Sequence, residues 1–177
     1  MRLLIPVMAV LSLSSAAVSA ADVKALSGTW RSAPEELGLS TPFDESVWGK
    51  NAKSVRTVEM TVQANGEATL TVTRKVVDAK GRTVAGSTSI EHATLTIDAA
   101  AAPSTQPRSD LMVTVKQAER RYPDDPAGTW KIEGLRVGVS TFSDKAGTIE
   151  VRVEFPEGRG SFWETLNRGT AKPARAS

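Results

Sequence analysis

Between Thr57 and Thr73 the chain alternates apolar and polar residues almost without a break. Val58, Met60 and Val62 take one phase, and Thr57, Glu59 and Thr61 the other. After Ala64-Asn65-Gly66, the residues Ala68, Leu70 and Val72 alternate in the same way with Thr69, Thr71 and Thr73. A helix would scatter such residues around its circumference, whereas a strand gathers them on one face. Asn-Gly supplies the positive φ that a tight turn needs, so the two runs predict a β-hairpin.

The pattern recurs along the chain. Ala93, Leu95 and Ile97 alternate with His92, Thr94 and Thr96, and Leu111, Val113 and Val115 open a further run. Leu135, Val137 and Val139 follow, and then Ile149, Val151, Val153 and Phe155 alternate with Thr148, Glu150, Arg152 and Glu154. Val23 to Arg31, with Trp30 facing inward, reads as the first strand and Ser161 to Arg168 as the last. The intervening turns are too short for parallel crossovers, so consecutive strands must be antiparallel. Pro34, Gly38, Pro42 and Gly49 argue against one continuous helix between Ser32 and Lys53. The expectation is an all-β domain of about eight strands, either a single antiparallel β-barrel or a β-sandwich. Periodicity serves both equally. An outer-membrane barrel would carry aromatic girdles, and only 5% of these residues are aromatic.

Residues 1–20 read as a signal peptide. Arg2 supplies the positive start, Leu3 to Leu13 the short apolar run, and Val18-Ser19-Ala20 the small residues before a cleavage site. The run is shorter than the roughly 20 residues of a membrane span, and no later segment approaches one. This places the folded domain at 21–168, followed by a polar, disordered tail over 169–177. The sequence has no cysteine, which excludes disulfides and thiolate metal sites. Exported animal domains usually carry disulfides, so a bacterial periplasmic or secreted protein is expected. The net charge of +2 is spread along the chain, without the concentrated basic face that nucleic-acid binding requires.

Gly28-Thr29-Trp30 on the first strand of such a domain resembles the opening motif of the lipocalin and wider calycin group. The resemblance implies an up-and-down barrel that holds an apolar ligand in its cup. It also implies that Trp30 packs across the closed end beneath an arginine from the end of the last strand, Arg168 here. Gly28, Trp30 and Arg168 are then structural residues that do not touch ligand. The group's Thr-Asp-Tyr turn is absent, Thr141-Phe142-Ser143-Asp144 being the nearest approach, and Gly128-Thr129-Trp130 repeats the opening motif a hundred residues later.

Catalytic chemistry finds no foothold. His92 is the only histidine, lies in the polar phase of its strand, and has neither a metal-ligand spacing nor a nucleophile elbow to work with. Glu150 and Glu154 flank Arg152 on one strand face, a surface charge ladder. No catalytic residue, metal or cofactor is expected. Phe43 and Trp48, on the long segment after the first strand, are the candidate ligand-binding residues, placed to lid an open barrel end. The expected function is therefore an exported, non-catalytic binding protein for a small apolar molecule. The alternative is a structural or protein-interaction module of the bacterial cell envelope, partnering another envelope protein, with a filled core.

Overall fold

The computed structural model describes residues 23–39, 41–98, 107–125, 128–158 and 160–169. The signal peptide expected over 1–20 lies outside these residues, as does the expected tail beyond Gly169. The strands are β1 (Gly28–Arg31), β2 (Glu35–Gly38), β3 (Lys53–Val62), β4 (Glu67–Val77) and β5 (Ser89–Asp98). They continue with β6 (Arg108–Arg121), β7 (Thr129–Lys131), β8 (Arg136–Phe142), β9 (Thr148–Glu154) and β10 (Ser161–Arg168). A short helix, α1 (Pro42–Trp48), sits between β2 and β3.

Eight of the strands close into an antiparallel barrel, in the order β1, β3, β4, β5, β6, β8, β9, β10 and back to β1. One sheet that meets itself is a barrel and not a sandwich, and closure removes the open edges a sandwich would have to protect. The barrel fits the lipocalin-like fold that the opening motif implies. The other two strands lie outside the ring. β2 pairs with the first residues of β3, and β7 pairs with the last residues of β6.

The β3–β4 hairpin has the register expected from its alternation, with Val58 opposite Val72 and Met60 opposite Leu70. Gly66 turns it with φ of 86°. A Cβ there would stand 2.5 Å from the Ile97 carbonyl oxygen, so the turn requires glycine twice over. The inward phase of the eight barrel strands builds one core, in which Met60, Leu70, Ile97, Ile149, Val151 and Leu166 are almost wholly buried.

Several local features have simple causes. The segment from Pro34 to Leu37 is extended because Glu35 to Gly38 pair with β3. The next residues do form a helix, since Thr41 caps it by accepting from the Asp44 N–H at 3.1 Å and Pro42 starts it. β5 begins only at Ser89, because Gly86, with φ of 71°, turns the chain beforehand. β6 also contains a bulge: Thr94 pairs with Gln117 but Leu95 pairs with Val115. The extra residue reverses the phase of the strand. Leu111, Val113 and Val115 therefore share the inner face with Ala118 and Arg120.

Candidate functional site

The two ends of the barrel differ in chemistry. At one end Trp30 is 2% exposed and its indole N–H donates to the Leu26 carbonyl at 2.8 Å. Arg168, its cross-strand partner, lies with the guanidinium 4.7 Å from the Trp30 ring centroid and donates to the Ala25 carbonyl. Gly28 precedes them with φ of 130°, a conformation that disfavours any side chain. This end is plugged.

At the opposite end the inward positions are charged. They are Arg56 on β3, Arg74 on β4, Glu91 on β5, Arg120 on β6 and Glu164 on β10, each continuing the inward phase of its strand. Beneath them lie Phe155 and Phe162, with ring centroids 6.3 Å apart. Arg56 stacks 3.9 Å above Phe162, and Arg74 and Arg120 stand 5.1 and 5.6 Å from Phe155. The layer therefore caps the apolar core with guanidinium planes on aromatic faces.

The carboxylates are unevenly shared. Arg56 takes two of them, donating to Glu164 at 3.1 Å and pairing with Glu35 of β2. Arg74 and Arg120 share one. Arg120 Nε donates to Glu91 Oε1 at 3.0 Å, and Arg74 Nη1 reaches the same oxygen at 3.3 Å. Glu91 is only 4% exposed, and its second oxygen accepts no hydrogen bond from the described residues. Burial lowers the Arg74 pKa below the usual guanidinium value, with Glu91 opposing the shift and the neighbouring charges of Arg56 and Arg120 adding to it. Burial also raises the Glu164 carboxyl, against the pull of Arg56.

Beside this layer the β6–β7 ribbon extends past the rim. Trp130 on β7 is the cross-strand partner of Arg120, so its ring lies on the same face. It meets Tyr122 edge to face at 5.3 Å and is still 47% exposed. These rings, with Ile132, Phe155, Pro156 and Arg120, line a cleft of about 380 Å³. Lys131 also borders it, and its ammonium is 3.0 Å from Glu133. Below the rim the inward side chains are tightly packed, with Met60, Leu70, Val72, Ile97 and Val151 at most 2% exposed, and the space that Leu70, Val72, Ala93, Leu135 and Val153 line with Glu91, His92 and Phe155 is about 10 Å³.

The remaining expected site residues sit elsewhere. α1 carries Phe43, 72% exposed, and the half-buried Trp48, and neither lines the interior space or the rim cleft. His92 points outward and pairs with the Thr71 hydroxyl at 3.2 Å. Among the described residues, no group of three His, Cys, Asp or Glu side chains is placed to hold a metal ion. No helix among them is long and apolar enough to cross a membrane. The arrangement offers aromatic surfaces and fixed cations, which suit binding. Trp130 was legible in the sequence only as an echo of the opening motif, and Arg120 was hidden by the bulge. No protein-family model matches the chain, and neither curated proteins nor solved structures show a match to it.

Proposed function

We propose that the protein is an exported, non-catalytic binding protein that holds a small, largely apolar molecule at the mouth of its barrel. The observation that carries this reading is the rim cleft of about 380 Å³, walled by Tyr122, Trp130 and Phe155. Ligand pockets of this kind are concave, mostly apolar and fitted with a few polar groups. The interior, whose side chains are almost wholly buried against one another, supports a ligand on the rim in preference to one in the cup. Export rests on the leader-like residues 1–20, which suit a periplasmic or secreted protein.

Titration of tryptophan emission with a panel of flat apolar probes tests the reading. Saturable binding that Trp130→Ala abolishes is the expected result. Saturable binding untouched by that substitution would move the ligand away from the rim. The filled interior also favours a second reading, an envelope interaction module. It would be left standing by a folded protein that binds no probe in the panel. Export is checked separately, by the mass of the protein recovered from an exporting host: a chain beginning at Ala21 is expected, and an intact Met1 would refute cleavage.

A further inference from the structure

Resting on the binding function proposed for the rim, we infer that the ligand is an organic anion, whose flat apolar body lies between Trp130 and Phe155 and whose carboxylate or equivalent group is read by Arg120. The charges of this layer are lopsided towards the cleft. On the side away from it, Arg56 is matched by two carboxylates, Glu35 and Glu164. On the cleft side, Arg74 and Arg120 have Glu91 between them, and both use the same oxygen of it. One positive charge is left over there. Arg74 does not line the cleft, whereas Arg120 does, and Lys131 at its edge is already paired with Glu133. Among the described residues, no acidic side chain lines it.

The geometry suits an anion for a second reason. Arg120 turns Nε and Nη2 towards Glu91 Oε1, at 3.0 and 2.9 Å. A guanidinium carries five N–H donors in a flat fork, so the outer part of the fork is free to take a carboxylate while the inner part stays anchored. The ring of Phe155 beneath Arg120 and that of Trp130 across the strand from it exclude water from one side of such a contact. Charge-assisted hydrogen bonds gain strength in surroundings of this kind.

A matched pair of probes separates the two levels of the argument. 2-Naphthoate and 2-naphthamide share a body and differ in charge. The wild-type protein is expected to bind the naphthoate about tenfold more tightly at low salt, in line with a single charge-assisted contact. Arg120→Gln is expected to erase that preference, so that the two probes bind alike. The substitution leaves Glu91 paired with Arg74, so the buried layer stays balanced. Equal affinity for both probes in the wild-type protein, with both lost in Trp130→Ala, would overturn the anion inference and leave the rim site standing. A preference that survives Arg120→Gln would overturn the assignment to Arg120. Saturable binding of neither probe would overturn the rim site itself, and the inference with it.

Discussion

Glu91 and Arg120 stand directly opposite one another on neighbouring strands and meet inside the barrel, with the Arg120 Nε 3.0 Å from the carboxylate. They meet only because the bulge between Val115 and Gln117 shifts β6 by one residue. Without it, the phase set by Leu111, Val113 and Val115 would send Arg120 to solvent and Glu119 inward. A buried carboxylate would then face another carboxylate.

Removing the charge of Glu91 should therefore be costly. Glu91→Gln leaves Arg74 and Arg120 beside each other without a counter-charge. Breaking a buried pair costs about 3–5 kcal/mol, and the 31% and 25% exposure of the two arginine side chains should bring this nearer to about 2–3 kcal/mol. Replacing the whole group, Arg74→Met with Glu91→Leu and Arg120→Met, should recover most of the loss. Urea denaturation of the single and triple variants measures both.

Trp30→Ala should lose about 3–5 kcal/mol, the range for truncating a buried aromatic. Arg168→Ala should lose less, about 0.5–2 kcal/mol, because its contributions are a stacking contact and a hydrogen bond to the Ala25 carbonyl, both made by an exposed side chain. A tryptophan variant as resistant to urea as the wild type would show that the ring does not plug the barrel end.

Gly66→Ala should destabilise by about 1–3 kcal/mol through backbone strain alone, with a clash in addition. The added methyl group would meet a backbone oxygen, the Ile97 carbonyl, which cannot swing aside as a side chain does. Gly81→Ala makes the control: it has a similar φ of 76° but no atom within 4 Å of its Cβ position, and it should cost less. Thermal midpoints of the two variants compare them.

Glu164 and Asp110 should leave opposite marks on the pH dependence of stability. The Glu164 carboxyl is raised by burial, so between the ordinary glutamate range and its raised value the folded protein holds more protons than the unfolded one. Stability from this group falls as pH rises through that window, and Glu164→Gln should gain on the wild type across it. Asp110 is lowered by hydrogen bonds from Ser140 and Arg108. Its contribution is full above the ordinary aspartate range and fades on acidification, so the deficit of Asp110→Asn should shrink towards low pH. Urea midpoints measured from about pH 3 to pH 7 should show the two trends, and parallel curves for either variant would contradict its assignment.

Much of the barrel was legible because apolar residues declare their face. Val58, Met60 and Val62 could not sit anywhere but inward once Thr57, Glu59 and Thr61 were outward. The charged layer was not legible for the same reason. Arg56, Arg74 and Glu91 continue the inward phase of their strands, yet a charged residue there looks like the start of a solvated loop. Extending the phase of β3, β4 and β5 by one step would have found them. Arg120 defeats that extension, because the bulge changes the phase before it. The expectation of a ligand cup came from the resemblance of Gly28 and Trp30 to a family motif, and that motif speaks for the plugged end and carries no information about the other.

The ring is completed by two residue pairs, Trp30 with Arg168 and Arg31 with Asn167, contributed by strands near opposite ends of the chain. Mechanically, the barrel is a long ribbon rolled up and held by a short clasp. Every other seam joins barrel strands that follow one another along the chain, with only the outer strands β2 and β7 intervening, and can form as the chain is synthesised, but this one must wait until Arg168 exists. Tension applied through the two ends loads the clasp before it reaches the long hairpin of β3 and β4. The indole and guanidinium stacked at that point thus sit where the roll would first spring open.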